Sequence, residues 1–142
     1  GKVYNDDWMR ERGFLDGELK IKDLIRMKDT SEFLSLNTET TVKEALKIMK
    51  ERDISQMPVE RNGEIVGAIT ESSVLNYLLE SPMKNSDEIV EKIMGNSFPW
   101  VDSEMECKTL NRYISKEVPA VLSKDAKGDV AIITQYDIIQ AI

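Results

Sequence analysis

The chain has 142 residues, 41% of them hydrophobic, with a formal net charge of −7. That length can bury one ordinary core or two small cores packed together. Lys and Arg are scattered rather than clustered, which argues against a nucleic-acid partner.

No apolar run approaches the roughly 20 residues of a membrane-spanning helix, and no N-terminal stretch resembles a signal peptide. A soluble, cytoplasmic protein without a membrane partner is expected. Histidine is absent and Cys107 is the single cysteine. An internal disulfide, imidazole general-base catalysis and nitrogen or sulfur metal sites are thereby excluded. Gly1 in place of Met suggests a fragment whose parent sequence lies upstream.

In chain order, Asn5 to Gly13 predicts a short helix, with Asn5 as N-cap, acids in the first turn and Gly13 as the stop. Residues 14–20 form a connector, and Ile21 to Met27 a second short helix with Leu24 and Ile25 facing inward. Phe33 to Leu36 reads as a short strand. Asn37 to Thr41 offers caps for a helix from Val42, whose Ala45, Leu46, Ile48 and Met49 share one stripe.

Met57-Pro-Val59 begins a strand, and Asn62-Gly63 supplies a hairpin turn into the strand Ile65 to Ile69. A helix from Glu71 to Leu79 follows, broken by Ser81-Pro82. The second half repeats the order: helix Asp87 to Met94, strand Phe98 to Val101, helix Lys108 to Ser115, strand Ala120 to Leu122, turn Lys124 to Gly128, strand Ala131 to Thr134 and helix Gln135 to Ile142. Met49, Met57, Met94 and Met105 read as core fillers, Trp100 as strand packing and Cys107 as an inert apolar position.

The repeat is sharpest at two strand-to-helix junctions, Glu64-Ile-Val-Gly-Ala-Ile-Thr70-Glu-Ser-Ser73 and Asp129-Val-Ala-Ile-Ile-Thr134-Gln-Tyr-Asp137. Thr134 follows Thr70 by 64 residues, a period at which one unit commonly needs its neighbour to bury its apolar face. A Thr hydroxyl and an Asp carboxylate three residues later can converge on vicinal ribose hydroxyls. The same spacing is also that of a helix capping box.

Two β-α-β-β-α units, each closing with an apolar strand and Thr-x-x-polar, resemble tandem CBS domains, the adenosyl-binding pair also called a Bateman module. The segment Asn5 to Leu15 resembles the linker joining the pyridoxal-phosphate (PLP) domain of cystathionine β-synthases to their C-terminal regulatory pair. The resemblance implies an α+β fold: a linker helix and connector (1–20), a first CBS unit (21–82) and a second (83–142), packed as a pseudo-two-fold pair.

It further implies an adenosyl site at Thr134 and Asp137 with Ile133 beside them, completed by Glu32, Phe33, Ile54, Ser55 and Gln56. Phe33 or Ile54 would cover the adenine, and Gln56 would meet the polar tail. The counterpart at Thr70 has Ser73 in place of Asp and is expected to be weak or empty.

S-adenosylmethionine is the implied allosteric ligand, with Glu32 or Asp137 facing its sulfonium. PLP would be present only in a catalytic domain absent from this chain. The expected role is a non-enzymatic regulatory module, homodimeric through its helical faces and acting on its own catalytic domain. The alternatives are a ligand-free dimerisation or autoinhibitory module and an AMP- or ATP-sensing pair.

Overall fold

The computed structural model describes residues 19–28, 33–80 and 87–141. The expected linker helix at 5–13, Glu32 and the Ser81-Pro82 break lie outside these residues. Contacts divide the chain into two compact units, one of Leu34–Phe98 and the other of Pro99–Ile142 with the N-terminal part up to Phe33.

In the unit Leu34–Phe98, β1 (Leu36–Asn37), α2 (Val42–Arg52), β2 (Gln56–Arg61), β3 (Glu64–Thr70) and α3 (Glu71–Glu80) follow the predicted order. Thr41 caps α2: its hydroxyl accepts from the Glu44 N–H at 3.1 Å, and the Glu44 carboxylate accepts from the Thr41 N–H at 3.4 Å. Asp53 ends the helix in the left-handed conformation. At the hairpin, Asn62 (φ 53°) and Gly63 (φ 83°) take the positive angles that this dipeptide tolerates.

The sheet order is β1-β2-β3, with β1 parallel and β3 antiparallel to the central β2. Pro58 is accommodated inside β2 because its partner Ala68 gives both its N–H and its carbonyl to Gly95 on the opposite side. The Pro58–Ala68 pair therefore exchanges no ladder hydrogen bond, and the missing N–H removes none to β3. The core holds Leu36, Val42, Ala45, Met49, Met57, Val59, Ile69, Val74 and Val90.

The other unit contains α1 (Ile21–Met27), β4 (Ala120–Lys124), β5 (Val130–Thr134) and α4 (Gln135–Ala141). Its sheet is the antiparallel pair β4-β5, with Ala120 opposite Thr134. Although α1 is distant in sequence, hydrogen bonds tie it here: Ile21 N–H to the Met105 carbonyl at 2.9 Å, Lys22 N–H to Ser103 at 2.8 Å, and Cys107 N–H to Leu19 at 2.8 Å.

The Lys22 and Lys20 ammonium groups both reach Glu104, holding its carboxyl below the usual range. The core contains Ile21, Leu24, Ile25, Cys107, Leu110, Val121 and Ile133. The division at residues 82 and 83 follows the repeat, whereas the packing places α1 with the second copy of the repeat.

Three predicted elements differ. Asp87 to Met94 forms only a 3₁₀ turn at Val90–Lys92. Its backbone is drawn into other bonds: the Glu88 carbonyl accepts from Val42 N–H at 2.8 Å, and Val90 N–H donates to Thr40 at 2.7 Å. Lys108 to Ser115 becomes a 3₁₀ segment at Cys107–Arg112 with no side-chain cap. Phe98 to Val101 contributes one parallel bridge, Trp100 to Leu122, and Trp100 is 47% exposed instead of packed away.

A Cβ on Gly67 would sit 2.6 Å from Met94 Sδ and 2.9 Å from the Gly95 carbonyl oxygen. Gly67→Ala is expected to cost about 1–3 kcal/mol, read as a lower urea midpoint with an unchanged slope. Burial, with Asp23 nearby, pushes the Cys107 thiol up from 9.0 to about 12. Only the thiol form fits the fold, so this contribution to stability is full below pH 9 and falls as pH rises toward 12. At pH 8 a thiol reagent should modify Cys107 rapidly in urea and very slowly in the native protein.

Candidate functional site

Each copy of the Thr-x-x-polar junction closes on itself. In the first, Thr70 N–H donates to Ser73 Oγ at 3.0 Å, Ser73 N–H donates to Thr70 Oγ1 at 3.1 Å, and the Ser73 hydroxyl donates to the Thr70 carbonyl at 2.8 Å. This is a neutral capping box closed by bonds within the junction.

In the second copy, Thr134 N–H donates to Asp137 Oδ2 at 2.8 Å and the Thr134 hydroxyl donates to the same oxygen at 3.1 Å. The Asp137 N–H returns to Thr134 Oγ1 at 3.3 Å. The capping arrangement is thus present in both copies, and what distinguishes the second is its charge and its surroundings.

A third donor converges on Asp137 Oδ2: the Lys28 ammonium, at 2.9 Å, from the residue that follows α1. It also donates to the Ile132 carbonyl. Both side chains are largely withdrawn from solvent, Lys28 with 23% and Asp137 with 13% of its surface exposed. Such a pair persists because each charge is matched and hydrogen-bonded. Among the described residues every hydrogen bond to the carboxylate falls on Oδ2.

Beside this pair lies a cavity of about 300 Å³, lined by Leu24, Met27, Lys28, Tyr136, Asp137 and Gln140 among others. Its volume is at the lower end of the range for small-molecule sites. It combines an apolar floor from α1, an aromatic ring from α4 and the Lys28–Asp137 pair. Lys28, Tyr136 and Gln140 were not among the residues expected from sequence. Lys28 lies 109 residues from its partner, and no local pattern joins the two. Tyr136 was legible only as the variable residue between Thr134 and Asp137.

Each of the remaining expected residues has a place within its own unit. Ile133 is fully buried in its core, so its side chain is unavailable to a ligand and only its main chain remains. Phe33 is partly exposed at the edge of its segment. Ile54, Ser55 and Gln56 belong to the unit Leu34–Phe98, where Gln56 pairs in register with Thr70 and the Ser55 carbonyl accepts from Glu71 N–H at 2.8 Å. Ile54 packs partly against that core, and with Ser55 it lines a separate cavity of about 390 Å³ bordered by Lys50, Asp53 and Glu71. Among the described residues no cluster of three or more His, Cys, Asp or Glu side chains forms a metal site, and no helix is long and apolar enough to cross a membrane.

Comparison with known proteins bears on the family and the fold. Residues 18–80 match the CBS domain family. Cystathionine β-synthase of Mus musculus is 30% identical over 104 residues, covering 68% of this chain and 18% of that enzyme. An A-adding tRNA nucleotidyltransferase of Aquifex aeolicus is 28% identical over 130 residues, covering 88% of this chain and 14% of the relative. The chain therefore spans less than a fifth of either protein.

Among solved structures, a conserved CBS domain protein of Thermoplasma acidophilum has a TM-score of 0.70 at 25% identity, covering 87% of this chain and 69% of its own. CBSX2, solved in complex with AMP, has a TM-score of 0.66 at 21% identity, covering 86% of this chain and 94% of its own. The chain belongs to the CBS-domain proteins, with the α+β fold of a CBS pair and a sequence similar to the CBS region of cystathionine β-synthase.

Proposed function

We propose that the chain is a non-enzymatic, cytoplasmic regulatory module that binds an adenosyl ligand at Thr134 and Asp137. The observation that carries this reading is the coincidence of the Thr134–Asp137 pair with a cavity whose wall includes an aromatic ring. In this reading a ribose hydroxyl donates to Asp137 Oδ1 and Tyr136, 67% exposed, stacks on the adenine in the role expected of Phe33 or Ile54. Ser73 offers no carboxylate at the first junction, so occupancy there is weaker or absent.

S-adenosylmethionine is the ligand suggested by the similarity to cystathionine β-synthase, and AMP the one suggested by the complex of CBSX2. Ligand binding would regulate a partner domain by favouring one arrangement of the module over another, through its difference in affinity for the two. A cystathionine β-synthase-like PLP domain is the partner that the similarity suggests.

Self-association through the helices is supported by Leu75 and Leu79 on α3, 53% and 72% exposed, and by Ile139 on α4, 65% exposed. A ligand-free dimerisation module remains a second reading, favoured by the closed Thr70–Ser73 box.

Isothermal titration with S-adenosylmethionine and AMP tests the ligand. Asp137→Ala is expected to abolish binding of whichever is bound and to cost about 1–3 kcal/mol in urea unfolding, because it removes a cap and strands the Lys28 ammonium. Unchanged affinity in that variant defeats the ribose assignment. Sedimentation should show a dimer that Leu75→Asp with Leu79→Asp converts to monomer, and a monomeric parent would defeat the association.

A further inference from the structure

We infer that Lys28 selects the ligand of this cavity: it holds the ribose carboxylate in the free protein and transfers its charge to a phosphate when an adenosine 5′-phosphate enters. This rests on Thr134 and Asp137 being the ribose site. Three donors already converge on Asp137 Oδ2, namely Lys28 Nζ at 2.9 Å, Thr134 N–H at 2.8 Å and the Thr134 hydroxyl at 3.1 Å. A vicinal diol that uses both carboxylate oxygens must therefore displace one of them.

The Thr134 N–H is fixed by the backbone at the end of β5, and the Thr134 oxygen is held beside the carboxylate by accepting from Asp137 N–H at 3.3 Å, so its hydroxyl can turn but cannot withdraw. The ammonium, on a four-carbon stem with rotatable donors, is the one free to move.

What the ammonium meets after moving decides which ligand is favoured. Lys28 is mostly withdrawn from water, with 23% of its side chain exposed, and lines the cavity wall. Released from Asp137, it keeps among the described residues only the Ile132 carbonyl, a neutral group that leaves its charge unmatched there. A ligand carrying a 5′-phosphate restores the match with a charge-assisted hydrogen bond.

Adenosine offers nothing in exchange, and the sulfonium of S-adenosylmethionine adds a second positive charge beside the first. The order of affinity that follows is AMP, then adenosine, then S-adenosylmethionine.

The experiment titrates AMP, adenosine and S-adenosylmethionine into the parent chain and into the Lys28→Met, Lys28→Arg and Asp137→Ala variants, with the midpoint of thermal unfolding recorded for each. In the parent, AMP is expected to bind at least about 10-fold tighter than adenosine, the size of one charge-assisted contact. Lys28→Met should bring that ratio to within about threefold while leaving adenosine affinity equal or improved, and Lys28→Arg, which keeps the charge, should preserve the preference.

A ratio unchanged in a folded Lys28→Met protein, or a parent that prefers S-adenosylmethionine to AMP, overturns the role given to Lys28 while leaving the ribose site standing. Adenosine affinity unaffected by Asp137→Ala, or absence of binding by all three ligands, overturns the ribose site and the selection together.

Discussion

A carboxylate held away from water requires a cation or several donors, and Asp137 has both. The Thr134 donors seat it over the first turn of α4, and Lys28 brings the end of α1 to the same oxygen. Local capping and long-range attachment therefore meet at one atom. The unit needs this, because its sheet is only the β4-β5 pair and α1 must pack on it from a distant part of the chain. Apolar contacts from Ile21, Leu24 and Ile25 supply most of the adhesion, in proportion to the surface they remove from water. The ion pair sets where that adhesion ends, and leaves a cavity beside it.

The two junctions show how one side chain changes what a repeated frame can do. Thr70 and Ser73 bond one another three times with neutral groups, and the junction closes as local structure. Thr134 and Asp137 use the same spacing but introduce a charge and a second oxygen, and so require something further from their surroundings. The protein provides Lys28, and in the proposed function a ligand competes for the same carboxylate. A capping box and a ribose clamp are in this sense alternative occupancies of one geometry.

The legible parts of the fold were those whose signals are local. Asn62-Gly63 set the hairpin, Thr41 with Glu44 set the start of α2, and Thr70 and Thr134 marked both strand ends. The segments from Asp87 to Met94 and Lys108 to Ser115 have helical composition, but hydrogen bonds to Thr40, Val42, Leu19 and Ile21 claim the backbone around them and shorten them to 3₁₀ turns. Such competition is settled by tertiary contacts, which a propensity reading does not contain. At the site, Thr134 and Asp137 were visible because they are repeated and close in sequence. Lys28 was not, since neither its number nor its neighbours announce a partner across the unit, and the buried side chain of Ile133 follows from strand alternation rather than from any motif.

The bridge from Ala68 to Gly95 bears on how this molecule can be approached by others. It occupies the outer hydrogen-bonding groups of β3 near its end, while the opposite edge of that three-stranded sheet is formed by β1, only two residues long. Neither side offers a long row of open amides and carbonyls to an incoming extended peptide, so this sheet resists strand addition and amyloid-type stacking alike. Recognition of the unit Leu34–Phe98 is thereby left to side chains on its helices, where a single substitution can alter affinity without disturbing the backbone.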